Sequence, residues 1–256
     1  MLDETRKAII DDLNSHLYTQ GDIACKYNIS RKTVCRLIKE LDMQIGRGIK
    51  NYWAFDHPSV ELAYIIGAYL TDGHIANAYV GHSPTAFILS STTPEYTNKL
   101  FVCFKTIGLN PKLSESRNSV GRLGEKPQFV VSVYSSMFSR WLFDNCNKKS
   151  SIPRFIYNSP IDQQAAFLSG AIDGDGSVGK DGSIWIRGID KWLIQLPSLL
   201  NVMNIKTRGV RLVCVLDSGK RYRSVSIKRS DFRSLSQCAI TVKQNRILYG
   251  KDARQR

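Results

Sequence analysis

Residues 171–178 read AIDGDGSV, placing Asp173, Gly174, Asp175 and Gly176 in succession directly behind the apolar run FLSG. Carboxylates at the end of an apolar helix meet the negative end of its macrodipole, so they are unfavourable there unless a cation answers them. Asp173 and Asp175 are either turn residues or metal ligands, and one copy does not decide between the two. A second copy does exist upstream. AYIIGAYLTDG (63–73) and AFLSGAIDGDG (166–176) share Ala, an aromatic, an aliphatic residue, Gly-Ala, three further residues and Asp-Gly. Gly67 and Gly170 each cost helix stability, and close approach of two helices is a reason to keep them. If the two helices pack in parallel, Asp72 and Asp175 converge at two negative helix ends. Such a carboxylate pair calls for a divalent cation. On a basic protein, the chemistry this suggests is metal-assisted phosphodiester hydrolysis.

The two segments resemble the paired motifs of the LAGLIDADG homing endonucleases, with IIGAYLTDG (65–73) and LSGAIDGDG (168–176) as the nine-residue units. The resemblance implies that Asp72 and Asp175 bind the catalytic metals, with the backbone carbonyls of Thr71 and Gly174 as further ligands. Mg²⁺ is the implied cofactor, and Mn²⁺ or Ca²⁺ are able to occupy the same site. The sixth motif position is Leu70 in one copy and Asp173 in the other, so Asp173 is read as non-catalytic. The family also uses a lysine after the closing helix of each half. Lys149 (or Lys148) fits in the first half and Lys243 in the second; a solvated loop lysine is the competing reading for each. Ser91 or Thr92 is expected to orient water in the first half, whereas Gly188 and Ile189 depart from that pattern in the second.

The elements needed to position these residues follow in order. The motif aspartates are 103 residues apart, about one half-domain of helix, hairpin, helix, hairpin and helix. Between them, HIANAYVGHS and TAFILSSTT read as strands, PEYTNKLFVCFKTIGL as a helix, PKLSESRNSV and KPQFVVSVYS as strands, and SMFSRWLFDNC as a short helix. The second half repeats the order, with Pro197 implying a kink or an early start in DKWLIQLPSLLNVMNI. Arg187, Arg208, Arg211, Arg221, Arg223 and Lys228 fall in its strands at alternating positions, which places them together on one DNA-reading face. The first half offers Arg117, Arg122 and Lys126 near a loop. His74 and His82, in the first strand, are read as DNA-contacting or packing residues.

Ahead of the repeat, Ile9, Ile10, Leu13 and Leu17 mark one helix face, and Ile23, Ala24 and Tyr27 a second, short helix. Asn28 tolerates a left-handed turn. Ser30 caps a third helix on which Val34, Leu37, Ile38 and Leu41 recur. This resembles the helix-turn-helix family, with Ala24, Asn28 and Val34 at its small, turn and β-branched positions. The resemblance implies that Arg31, Lys32, Thr33 and Arg36 face the major groove or its phosphates. An ordinary helical hairpin with solvated charges is the alternative. Residues 42–58 lack a period and read as a linker or wrapping arm, with Arg47 and Lys50 as DNA-backbone contacts.

The expected fold class is therefore α+β: an all-α helix-turn-helix (1–43), a linker (44–59), two pseudo-symmetric αββαββα LAGLIDADG half-domains (60–149 and 161–240) joined by a linker (150–160) and forming a DNA-binding saddle, and a basic C-terminal tail (241–256). Bulk composition agrees with a polyanionic partner. The net charge is +14, and residues 161–256 alone carry +9. The six cysteines form no CxxC pair, which argues against zinc and disulfide frameworks and fits a reducing, intracellular, cytoplasmic setting. Cys25, Cys35, Cys103 and Cys214 are expected in the core. No signal peptide or membrane span is expected. The functional expectation is a monomeric, site-specific endonuclease that cuts one phosphodiester per strand of a long, asymmetric duplex. A catalytically inactive transcriptional regulator and an intron RNA maturase are the alternatives. An intein is disfavoured by the initial Met and the absence of a His-Asn end.

Overall fold

The computed structural model describes residues 3–14, 20–41, 58–76, 84–116, 127–179, 181–189, 191–228, 230–231 and 243. The chain divides into two units, Met1–Ala54 and Phe55–Arg256. In the first, α1 (Asp3–Asn14), α2 (Gln20–Lys26) and α3 (Arg31–Glu40) enclose Ile9, Leu13, Ile23, Ala24, Val34 and Leu37. Asn28 takes the left-handed conformation (φ 50°) that turns the chain between α2 and α3. The Ser30 hydroxyl then caps α3, accepting from Thr33 N–H at 3.1 Å. Asp12 ties α1 to α2 by accepting from Lys26 Nζ at 2.7 Å and Tyr27 Oη at 2.8 Å. The Lys26 and Tyr27 hydrogen bonds hold its carboxyl below the usual range despite some desolvation. Leu17 lies outside the described residues.

The second unit is built around two helices, α4 (Val60–Thr71) and α8 (Ile161–Asp173). From Leu62 to Thr71 and from Gln164 to Asp173 every residue is buried, so each helix is covered on all sides. They run parallel: Gln163 Nε2 donates to Pro58 O at their starts, and Thr71 Oγ1 abuts Gly174 at their ends. Where they cross, a Cβ on Gly67 would overlap the Phe167 carbonyl, and a Cβ on Gly170 would overlap the Tyr64 carbonyl. The glycines thus let backbone touch backbone, and the contact is reciprocal.

Each helix leads into a four-stranded antiparallel sheet. β1 (His74–Ala76), β2 (Ala86–Ser91), α5 (Pro94–Thr106), β3 (Lys112–Ser116), β4 (Gln128–Val133) and α6 (Ser136–Asn145) follow α4, and the sheet order is β1-β2-β4-β3. After the short α7 (Arg154–Asn158) and α8 come β5 (Gly176–Val178), β6 (Ile184–Gly188), α9 (Leu196–Val202), β7 (Val210–Val215) and β8 (Arg221–Ile227), in the matching order β5-β6-β8-β7. Phe87, Leu89, Val131 and Val133 face the core of the first sheet, where Phe87, Phe104 and Phe138 stack in succession at 5.0 and 5.7 Å. In the second sheet, Ile184, Ile186, Val225 and Ile227 are buried, and Trp192 meets Phe167 edge-on at 6.4 Å.

Several expectations change here. The segment 150–160 is more than a linker: it contains α7, buries Ile152 and Ile156, and is tied down by Ile152 N–H to Gln195 Oε1 at 3.0 Å. Of the two outcomes Pro197 allows, the structure shows the early start rather than the kink. The proline sits in the first turn of α9, after a separate 3₁₀ turn at Lys191–Ile194, because proline has no N–H to bond backwards. Cys103 is buried, but Cys25, Cys35 and Cys214 are exposed. Cys35 follows buried Val34 off the packed face of α3, and Cys214 lies on the edge strand β7. The closing helix expected after β8 lies outside the described residues. Among the described residues, no helix is long and apolar enough to cross a membrane.

Gly67→Ala and Gly170→Ala should each lower the unfolding free energy of the Phe55–Arg256 unit by about 3 kcal/mol, read as a shift of its denaturant midpoint.

Candidate active site

The ends of α4 and α8 carry the repeated aspartates. Asp72 is the C-cap of α4, and its N–H donates to Ala68 O at 3.1 Å. Asp175 lies two residues beyond the end of α8, past Gly174 with φ −74° and ψ −100°. Each aspartate is accompanied by a lysine held in the same way. Lys149 Nζ donates to Thr71 O at 2.6 Å and Gly73 O at 3.2 Å, the carbonyls on either side of Asp72. Lys243 Nζ donates to Gly174 O at 3.2 Å and Gly176 O at 2.6 Å, on either side of Asp175, and also to Ile172 O at 2.8 Å.

The electrostatics join the two ends into one centre. Asp72 remains accessible, yet the surrounding protein removes enough water to raise its carboxyl above the usual range. Lys149 and Lys243, one from each half of the sequence, both oppose that rise. Between them the lysines supply the cations that two negative helix ends require. Lys149, rather than Lys148, occupies the site; Lys148 Nζ lies 5.9 Å from the Phe143 ring centroid. Lys149 is delivered by an uncommon backbone, since Asn147, Lys148 and Lys149 have φ of 43°, 54° and 66° in succession. Left-handed conformations are costly for residues with a Cβ. The turn is held by Lys148 N–H to Phe143 O at 2.9 Å and Ser151 N–H to Cys146 O at 3.1 Å.

The donor set suits a hard divalent cation. Asp72 and Asp175 offer carboxylate oxygens, and the flanking carbonyls offer more. Among the described residues, no group of three His, Cys, Asp or Glu side chains could hold a metal, so water and phosphate oxygens would complete the coordination. The Thr71 and Gly174 carbonyls, expected as ligands, accept from the two lysines.

Asp173 has a different setting. Its carboxylate is fully buried, accepts from Tyr64 Oη at 2.8 Å and lies 3.9 Å from Lys99 Nζ. Lys99 Nζ also sits 4.2 Å from the Tyr64 ring centroid. Desolvation, followed by the Asp173 charge, pushes the Tyr64 hydroxyl well above its usual range; desolvation lowers Lys99. Nearby, buried Tyr96 feels the negative field of Asp72, Asp173 and Asp175, and its hydroxyl lies beside Thr71 without a well-formed hydrogen bond. Sequence reasoning missed this network. The only sequence signal for it was the unlike sixth motif position.

The basic residues of the second sheet do not share one face. Ile186 pairs with Val225 on the core side, so Arg187 and its partners Ser224 and Arg211 lie on the outer side, with Trp185 and Ser226. Arg221 and Arg223 fall on the same side as Val225 and Ile227, reaching past the core toward the hairpin end. The β6–β8 pairing sets Ser224, not Arg223, opposite Arg187, and the β7 register slip between Leu212 and Cys214 carries Arg211 to that same outer side. Arg208 and Lys228 lie just outside the strands and line a groove together with Trp185 and Asp181. Trp185 itself was legible from the alternation in Ile184–Gly188, where two isoleucines point inward. Among the described residues, the first sheet's outer face carries Ile88, Ser90, Ser114 and Ser132 beside Lys112 and exposed His74. On α3, Arg31, Lys32 and Arg36 are exposed, but the Thr33 hydroxyl bonds Ser30 Oγ at 2.9 Å, and Arg36 lies 3.7 Å from Glu40. Arg47, Lys50, Arg117, Arg122, Lys126 and His82 lie outside the described residues.

Lys148→Gly should relieve one left-handed side chain and raise stability by about 0.5–1 kcal/mol, measured by denaturant unfolding.

No family model matches the chain. A curated relative, an iron–sulfur cluster assembly SufBD family protein of Mycobacterium leprae (strain TN), is 29% identical over 129 residues, which is 49% of this chain and 13% of that protein. The chain thus corresponds to a small part of that relative, whose name describes the whole. Among solved structures, the homing endonuclease I-WcaI bound to its DNA recognition sequence is similar with a TM-score of 0.53 and 16% identity, over 84% of this chain and 93% of that one. I-DmoI in complex with DNA and Mn is similar with a TM-score of 0.51 and 14% identity, over 72% of this chain and 97% of that one. At such identities the likeness is one of fold, and on that ground the chain has the LAGLIDADG fold of the homing endonucleases.

Proposed function

We propose that this protein is a divalent-metal-dependent, site-specific endonuclease that hydrolyses one phosphodiester on each strand of a long, asymmetric DNA duplex. The observation that carries this reading is the doubled arrangement of Asp72 with Lys149 and Asp175 with Lys243 at the paired ends of α4 and α8. The LAGLIDADG fold and the net charge of +14 support it. Asp72 and Asp175 would hold Mg²⁺ (or Mn²⁺) with the help of the Thr71 and Gly174 carbonyls. When bound, the cation supplies Lewis acidity and a more acidic water. The lysine ammoniums hold positive charge within reach of the phosphate, favouring the charge that develops as the bond breaks. Cleavage is expected to leave short 3′ overhangs.

In this reading the two sheets form a saddle over the duplex. The second sheet's outer face would lie in a groove, with Arg187 and Arg211 addressing guanine edges or phosphates and Arg208 and Lys228 the backbone. The three helices of the first unit act as a helix-turn-helix that lengthens the recognised sequence. Asn28, the Ser30 cap and the exposed Arg31, Lys32 and Arg36 support this role. The protein acts as a monomer whose two motifs replace a pair of subunits.

A duplex spanning the uninterrupted junction of the gene's host locus is the first substrate to try. With Mg²⁺ the protein should cut it on both strands. Asp72→Asn and Asp175→Asn should each abolish double-strand cleavage while binding by gel shift persists. Normal cutting by both variants would sink the assignment. Binding without any cleavage by the unaltered protein would favour a regulator.

Arg187→Ala and Arg211→Ala should each weaken binding by about 1–3 kcal/mol, whereas Arg221→Ala, on the opposite side, should change it far less. Fluorescence anisotropy titrations at fixed salt distinguish the three.

A further inference from the structure

The helix pair α4 and α8 is reciprocal at the backbone, and its side-chain contacts can be compared across the same symmetry. Adding 103 takes Tyr64 to Phe167, Leu70 to Asp173 and Asp72 to Asp175. The Tyr64–Asp173 contact therefore has Phe167 and Leu70 as its counterpart, and those two residues are buried and apolar. One side of the crossing is greasy, and the other holds a buried carboxylate, a phenol and an ammonium. An apolar pair serves as packing on one side, and a buried ion pair is a poor source of net stability. The polar triad needs another reason.

The two aspartates leave their helices differently. Asp72 is still bonded into α4 through its N–H to Ala68 O. α8 stops at Asp173, and Asp175 follows a glycine whose ψ of −100° departs from the helix. Asp72 thus caps its helix, whereas Asp175 lies beyond the end of its own. The last helical residue before that irregular exit is Asp173, held by two residues of the other half, Tyr64 and Lys99.

We propose that Asp173, with Tyr64 and Lys99, positions Asp175 and the carbonyls of Ile172, Gly174 and Gly176 that hold Lys243. Asp173 is a positioning residue: its side chain anchors the end of α8, and the metal ligand hangs from that anchor. The anchor comes from the first half of the sequence and the ligand from the second, so the second site depends on the first half being in place. The metal arm of this inference rests on the proposed role of Asp175, and the backbone arm does not.

The test replaces the triad contact with its own counterpart, Tyr64→Phe/Asp173→Leu, in the full chain. Metal-free thermal unfolding should move to lower temperature, because the partly buried Lys99 ammonium loses the Asp173 charge. Mn²⁺ affinity, read from the free-ion paramagnetic resonance signal, should fall roughly 10-fold or more, as for lost ligand-supporting contacts. Hydrogen exchange at residues 174–176 should accelerate. Asp173→Asn, which keeps an acceptor for Tyr64, should stay within about threefold of the unaltered protein in Mn²⁺ affinity. If the double variant fails to fold, Tyr64→Phe alone decides, with unchanged exchange at 174–176 overturning the proposal. For a folded double variant, unchanged exchange overturns it as well. Unaltered protein that binds no Mn²⁺ in an Asp72-dependent way would remove the proposed metal function, leaving the exchange result to judge the anchor by itself.

Discussion

Everything in the larger unit depends on two carbonyl groups being allowed to touch a neighbouring helix. Where α4 crosses α8, Gly67 faces the Phe167 carbonyl and Gly170 faces the Tyr64 carbonyl, with no room for a Cβ on either. The glycines give up helix propensity, and the close crossing then buries both helices on every side. The crossing also sets the site. Because the helices start together at Pro58 and Gln163 and finish together at Thr71 and Gly174, their negative ends share one small region. Aspartates placed there would repel each other and the helix ends without cations nearby. Lys149 and Lys243 meet that requirement from outside the helices, reaching across 78 and 67 residues of sequence to carbonyls beside an aspartate.

Lys149 shows how much local distortion this demands. Three consecutive left-handed residues are an unusual way to end a short helix, and the Phe143 and Cys146 carbonyls hold them. Strain of this kind persists where surrounding structure overrides local preference, and such places are often functional. The lysine arrives at the end of the distorted turn, where its ammonium meets two carbonyls at once.

The amino-acid sequence made the repeat and the parallel helix pair legible, because the eleven-residue pattern recurs and helical spacing fixes which residues share a face, whereas Lys149 and Lys243 were named only through the family resemblance. Ser30 and Asn28 were readable for a similar reason: caps and left-handed turns are chosen by local chemistry. What escaped notice depends on long-range packing. Asp173 looked expendable beside Leu70, since no local rule pairs it with Tyr64, 109 positions earlier. The six basic residues of the second sheet seemed to share a face because alternation within one strand does not show how strands pair: Ser224, not Arg223, meets Arg187, β7 slips at Leu212, and Arg208 and Lys228 fall outside the strands. Cys25 and Cys35 were assigned inward because their segments are apolar-patterned, although the helices they sit on turn other residues to the core.

The lysine bridges carry one more consequence. Many small metal sites are assembled by the ion itself, so that removing it unfolds the surrounding chain. Here the carbonyls and charges at the helix ends already have internal counter-ions, one ammonium per aspartate. Under the proposed function, Asp72 and Asp175 would take up a divalent ion at a centre whose charges are already partly balanced, rather than at an unfinished core. On that proposal, folding of this unit would not wait for the ion, because the lysine contacts that hold the helix ends are made within the chain.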